Sequence, residues 1–123
     1  PEHLSEETLI HYPVDRRRLD IFERFLEPHG IEPSATRETE LTLMMIQLVA
    51  SGRGVACLPN WALQTYLDAG LISVRPLGKA GVWPVLYAAI RKEQSGTQYL
   101  KDFIETAAES SFATLKGIVQ PES

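Results

Sequence analysis

The side chains that could carry chemistry are scattered along this chain, and they form no recognisable catalytic set. His3, His11 and His29 share no metal-ligand spacing, and no two acidic residues are forced together by local spacing. The sequence contains no Gly-x-Ser-x-Gly elbow, Walker loop or dinucleotide fingerprint. The run Ser51 to Gly54 suggests a phosphate loop, but it follows a predicted helix and precedes a predicted strand, which reverses the order that phosphate binding needs. We therefore predict no enzymatic activity, no cofactor and no metal site.

Cys57 is the single cysteine of the chain. It lies in the apolar run Gly54 to Leu58, where a small buried side chain is expected, and no histidine or cation stands close to it in the sequence. We predict a core thiol and not a nucleophile. A chain without a disulfide framework, and with no signal-peptide pattern at its start, fits the reducing cytoplasm.

The polar residues best placed to bind a small molecule lie where predicted strands end and predicted helices begin. One corner is Tyr12-Pro13-Val14-Asp15-Arg16, and a second is Glu40-Leu41-Thr42. Backbone amides and the Thr42 hydroxyl at the second corner could bind a carboxylate, although a plain helix cap is an equal alternative for Thr42. Pro59 and Asn60 would complete the rim. For Asn60, we favour a role as a cap of the following helix.

These corners need strands and helices that alternate, and the first 77 residues have that pattern. Four short strands separated by helices predict an α/β fold with a mainly parallel sheet. The predicted elements are a strand at 8–12, a helix capped by Asp15, an extended piece at 31–38, a buried helix capped by Glu40 or Thr42, a strand at 55–58, a helix at 61–67 and a strand at 71–75.

The pattern changes after the loop Gly78 to Gly81. A long β-prone run, Val82 to Ile90, is followed by a helix predicted from Gln98 to Leu115. The apolar positions of this helix form a stripe that must pack against something. They include Tyr99, Leu100, Phe103 and Ile104. We therefore divide the chain into residues 1–80 and 81–123.

The run Gln47 to Pro59 carries the strongest resemblance to a known family. It is similar to the Leu-Val-Ala-x-Gly-x-Gly-x-x-x-Leu-Pro signature of LysR-type transcription regulators, and it retains both glycines and the Leu-Pro pair. Flanking segments agree in order, so the resemblance extends from about Leu4 to Phe112. Within this family, residues 8–14, 42–47 and 83–91 are most similar to regulators of methionine biosynthesis.

The resemblance implies an effector-binding domain with a periplasmic-binding-protein-like (type II) fold, in which two α/β subdomains enclose a small-molecule effector. Residues 1–80 would form the second subdomain, and residues 81–123 would supply a crossover strand and C-terminal helix of the first. The implied effector is homocysteine. DNA would be bound only through a helix-turn-helix domain absent from this sequence, and the unpaired apolar stripe predicts self-association as a dimer or higher oligomer.

The charge balance agrees with a module that does not hold DNA by itself. The formal net charge is −4, and the one basic cluster, Arg16-Arg17-Arg18, is typical of a solvated helix start. No apolar stretch is long enough to cross a membrane. Two alternatives remain at this stage: a fragment of a solute-binding protein for a small amino acid, which shares the fold, and an enzyme on the same scaffold.

Overall fold

The computed structural model describes residues 1–121, which are built around a three-stranded sheet. Strands β1 (Thr8–His11), β2 (Ala35–Glu38) and β3 (Val55–Ala56) are parallel, in the order β2–β1–β3. The carboxyl ends of parallel strands lie at one edge of the sheet, and this edge positions the residues that follow each strand. The predicted α/β class and the mainly parallel sheet are confirmed.

Strand β1 is the centre of the core because layers of the chain pack on both of its faces. Leu9 forms one core cluster with Phe22 and Leu26. Side chains alternate along a strand, so Ile10 faces the other layer, beside its register partner Ala56. That layer is helix α1 (Thr42–Ala50), whose buried residues are Met45 and Ile46.

The chain after β1 is buried as predicted but is less regular than an α-helix. The Asp15 carboxylate accepts a hydrogen bond from the Arg17 amide at 2.9 Å, which confirms the predicted cap. The prediction of a single helix is wrong, however. Pro28 has no N–H to donate, so a regular helical hydrogen-bond pattern cannot continue through it. The observed pieces are a 3-10 turn at Arg16–Arg18, a π-helical segment at Ile21–Leu26 and a 3-10 turn at Glu27–His29.

The two glycines of the signature have separate structural roles. Gly52 adopts a φ of 69° just beyond α1, where its amide donates to the Val49 carbonyl and the Arg53 amide donates to the Leu48 carbonyl. This is the Schellman arrangement that ends a helix. Gly54 allows β3 to approach β1, because a Cβ there would collide with the carbonyl oxygen of Thr8.

Two predicted strands do not form. Residues 71–75 and 82–90 have no regular secondary structure, and neither run is paired with a strand in the sheet of the described residues. The predicted strand at 55–58 is limited to β3. The helix predicted at 61–67 is a 3-10 turn, Asn60–Ala62, followed by helix α2 (Gln64–Asp68).

Helix α3 (Gln98–Thr114) matches its predicted span to within one residue. Much of its apolar stripe is uncovered, since Tyr99 is 66% and Phe103 69% exposed. Leu86 and Tyr87, in the irregular segment 82–90, are also exposed. Among residues 1–121, no helix combines the length and the apolar character that crossing a membrane requires.

Candidate functional site

The two corners predicted from the sequence meet through one hydrogen bond. The hydroxyl oxygens of Tyr12 and Thr42 lie 2.5 Å apart, although the residues are separated by 30 positions. Tyr12 follows β1, and Thr42 is the first residue of α1. Both residues are half-buried, so this Tyr12–Thr42 pair lies where the core meets solvent. Because a hydroxyl both donates and accepts, the pair retains hydrogen-bonding capacity for a bound molecule.

The start of α1 is open, and the predicted caps are wrong. Leu41 occupies the N-cap position with extended backbone, its side chain is 66% exposed, and it has no polar group to cap the helix. The Thr42 hydroxyl contacts Tyr12, and Glu40 is exposed one residue before the N-cap. The amides of the first turn of α1, at the positive end of the helix dipole, can therefore bind an anionic group beside the Tyr12–Thr42 pair.

The corner after β1 is a tight turn centred on Pro13. The Val14 amide donates to the Tyr12 carbonyl at 2.8 Å, which closes a three-residue turn. Pro13 itself is exposed, and its ring restricts the backbone of the turn. Pro13 thus restricts the backbone next to Tyr12, and its neighbours make the polar contacts.

Asp15 and Arg16, which we predicted as rim residues, are engaged in contacts with other side chains of this region. The Arg17 guanidinium beside Asp15 holds the pKa of that carboxyl below its usual value, and the backbone amide of Arg17 adds to the effect. Arg16 donates to both carboxylate oxygens of Glu32, at 2.9 and 2.8 Å, and its guanidinium lies 4.1 Å from the centre of the Phe22 ring. Glu32 precedes β2, whereas the Tyr12–Thr42 pair lies beyond the end of β1. The charge of Arg16 is therefore committed elsewhere.

The third predicted corner, Pro59-Asn60, contacts the C-terminal part of the chain. The Asn60 side chain donates to the Gly117 carbonyl at 2.8 Å and accepts from the Trp61 amide at 2.8 Å. Pro59 and Trp61 border an apolar groove of about 280 Å³ whose other wall is Pro84 to Leu86. Asn60 does not cap the following turn, where Pro59 holds the N-cap position. Both ends of the Asn60 amide are thus used within the chain.

Sequence reasoning missed His11 as a neighbour of the site. Its ring is packed edge-on against Phe22, and Nδ1 lies 2.7 Å from the Tyr12 carbonyl oxygen. His11 is 8% exposed and is the buried polar residue of the core. The alternation of β1 could have predicted this burial, because His11 shares a strand face with Leu9.

Cys57 is not part of the site. Burial, with a smaller contribution from the carboxylate of Asp20, raises the pKa of the Cys57 thiol to about 11. A thiol with this pKa is almost fully protonated near neutral pH, and the thiolate is the reactive form. Cys57 is therefore an unreactive core residue, as the sequence predicts.

The sequence pattern of the LysR substrate binding domain matches residues 1–111. The chain belongs to this family. The LysR signature therefore corresponds to the end of α1, its glycine turn and β3, which together hold α1 against the sheet. The family also confirms the periplasmic-binding-protein-like fold predicted from the resemblance.

The similar proteins of known name are transcriptional regulators called MetR. The chain is 46% identical to the HTH-type transcriptional regulator MetR of Haemophilus influenzae over 117 residues, which are 95% of this chain and 38% of that protein. It is 41% identical to MetR of Escherichia coli K12 over 107 residues, or 87% of this chain and 33% of that protein. The chain thus spans about a third of the length of these curated relatives.

A solved structure supports the same assignment. The regulatory domain of MetR, a LysR family regulator from N. meningitidis, superposes with a TM-score of 0.88 at 42% identity, and the match covers 98% of this chain and 56% of that domain. The resemblance to one group within the LysR family is confirmed as a similarity to these MetR proteins. Because the relatives are transcriptional regulators, they favour a regulatory role over the enzyme and the solute-binding protein considered above.

Proposed function

We propose that this chain forms one wall of the effector site of a cytoplasmic LysR-type regulator of methionine biosynthesis, and that the effector is homocysteine. The observation that carries the proposal is the Tyr12–Thr42 pair beside the open start of α1. Homocysteine follows from the similarity to MetR regulators. In this proposal, residues 1–80 are the second subdomain, and residues 81–123 supply the crossover strand and C-terminal helix of the first.

The chemistry of an amino acid suits this corner of the sheet. Its carboxylate would accept hydrogen bonds from the first-turn amides of α1 and from the Thr42 hydroxyl, where the helix dipole favours negative charge. Its ammonium group needs an anionic partner, and Glu40 is the exposed carboxylate that precedes Leu41 in the sequence. The remaining contacts would come from the other subdomain, which this chain does not supply in full.

Effector binding would act by favouring one arrangement of the two subdomains. A ligand shifts such an equilibrium only by its difference in affinity for the two states, which is typically about 1–3 kcal/mol in allosteric proteins. The helix-turn-helix domain that reads DNA lies outside this chain in the proposal. The net charge of −4 agrees with DNA being bound by another part of the regulator.

Thr42→Val tests the proposed site in a regulator that carries this chain. Valine keeps the branched shape and removes the hydroxyl, so homocysteine should bind about fivefold more weakly, which corresponds to one lost hydrogen bond of about 1 kcal/mol. DNA affinity without effector should not change. Thr36→Val, at an exposed position of β2, is the matched control and should leave the homocysteine affinity unchanged. Equal affinities measured by calorimetry for both variants would remove Thr42 from the site.

The isolated chain provides a second test, because it contains only part of the proposed cleft. We expect calorimetry to show weak or no binding of homocysteine to residues 1–123 alone. Micromolar affinity would contradict a site that needs both subdomains.

Self-association is the remaining part of the proposal. Burying a large apolar side chain contributes about 1.5–3 kcal/mol of favourable free energy, which exposed side chains such as Tyr99 and Phe103 do not gain. The chain should therefore form a dimer or higher oligomer through α3, either by exchange of the helix or by simple packing. Sedimentation at high concentration tests this. A monomer would contradict it, and Phe103→Ser should weaken the oligomer more than Glu105→Ser, a control at an exposed polar position of the same helix.

A further inference from the structure

The Tyr12 carbonyl is the point that holds the corner after β1. It accepts two hydrogen bonds, one from the Val14 amide at 2.8 Å and one from Nδ1 of His11 at 2.7 Å. A carbonyl oxygen has two lone pairs, so both are used. The peptide that follows Tyr12 is therefore fixed from two directions.

His11 is itself held in place by the core. The ring meets Phe22 edge-on with a centroid distance of 5.4 Å and an interplanar angle of 88°. The backbone carbonyl of His11 accepts a hydrogen bond from the Thr39 amide at 3.0 Å, just past the end of β2. Because the Tyr12 carbonyl oxygen can only accept a hydrogen bond, Nδ1 must carry the proton. In the neutral ring, Nε2 is then unprotonated.

We propose that His11 is a positioning residue of the effector site: its Nδ1–H holds the Tyr12 carbonyl and so aims the Tyr12 hydroxyl at Thr42. The proposal rests on the function proposed above. His11 packs on the face of β1 that carries Phe22, whereas the hydroxyl of the next residue, Tyr12, contacts α1, so His11 acts from the face opposite α1. Without this donor, the turn at Pro13 keeps only the Val14 hydrogen bond, and the Tyr12 ring loses its fixed approach to Thr42.

Two substitutions separate the donor from the bulk of the ring. His11→Asn places an amide N–H close to the position of Nδ1, whereas His11→Phe keeps an aromatic ring against Phe22 without any donor. If only packing mattered, His11→Phe would be the milder change. Under the positioning role, His11→Asn should resemble the wild type and His11→Phe should not.

Nitrogen-15 NMR of the chain tests the local geometry without any ligand. We expect the neutral ring of wild-type His11 to carry its proton on Nδ1, and a proton on Nε2 instead would overturn the proposal. The amide signals of Thr42 and Leu43 should be unchanged in His11→Asn and displaced in His11→Phe. Equal displacement in the two variants would also overturn the proposal, because it would indicate a general loss of packing.

Homocysteine titration of a regulator that carries this chain then tests the functional consequence. His11→Asn should bind within about twofold of the wild type, and His11→Phe about fivefold more weakly, since a lost hydrogen bond is worth about 1 kcal/mol. Equal affinity in all three proteins would overturn the positioning role. If the NMR signals follow the expected pattern but the wild type does not bind homocysteine, the proposed function fails and the local role of His11 stands.

Discussion

Removing the two hydroxyls of the Tyr12–Thr42 pair should reveal a measurable coupling between the turn that follows β1 and the start of α1. The oxygen atoms are 2.5 Å apart and both residues are half-buried. A net hydrogen bond contributes about 0.5–1.5 kcal/mol, and solvent can rehydrate a half-buried hydroxyl that loses its partner. We therefore expect Tyr12→Phe and Thr42→Val each to lower the free energy of unfolding by about 1 kcal/mol, with a coupling energy of about 0.5–1 kcal/mol between them.

The assay is a double-mutant cycle measured by urea unfolding of the chain. The wild type, both single variants and the double variant give the coupling as the departure from additivity. A control cycle combines Thr42→Val with Tyr66→Phe, because Tyr66 is a half-buried tyrosine of α2 and the Thr42 hydroxyl is paired with Tyr12 instead. The control cycle should be additive. A coupling energy for Tyr12 and Thr42 no larger than that of the control would refute the hydrogen bond and weaken the proposed site with it.

Two further predictions concern the signature run. Gly54→Ala should destabilise the chain by about 2–4 kcal/mol in urea unfolding, since its Cβ would meet the Thr8 carbonyl and the backbone φ of +150° is strained for alanine. Gly30→Ala, where a Cβ meets open space at a φ of +64°, should cost only about 1–2 kcal/mol, and equal losses would contradict the close approach of β3 to β1. Cys57 should resist alkylation at pH 8 in the folded chain and react once urea unfolds it. Burial raises the pKa of its thiol from 9.0 to about 11, so the unfolded thiol ionises at a lower pH than the folded one. The free energy of unfolding of the wild type should therefore fall as the pH rises from 9 to 11. Cys57→Ala should lack this contribution because it has no thiol. Alkylation of the folded chain as fast as that of the unfolded chain would show that the thiol is accessible.

Local rules predicted the parts of this protein whose causes are local. The 3.6-residue spacing of apolar side chains predicts α3, and Asp15 caps the turn that follows β1. The glycines of the signature end α1 and allow β3 to approach β1. The corner at Tyr12 and the corner at Thr42 were identified because parallel sheets place such residues at one edge.

Only the tertiary structure decided which polar side chains remain available at that edge. Arg16 and Asn60 look as suitable as Thr42 in the sequence, but Arg16 is held by Glu32 and Asn60 by Gly117. Their partners lie 16 and 57 residues away, beyond the reach of any spacing rule. The role of His11 also depends on the packing of Phe22 against its ring.

The sequence by itself determined the family, the parallel sheet and the two corners that form the candidate site, because the signature glycines and the apolar periodicities act through local backbone geometry. The tertiary structure decided which β-prone runs become strands. Residues 8–11 do so because β2 and β3 complete their hydrogen bonds, whereas residues 82–90, which are also rich in β-forming side chains, pair with no strand of the described residues. A helix satisfies its own backbone, but a strand requires a neighbour, and its existence is therefore a property of the whole fold.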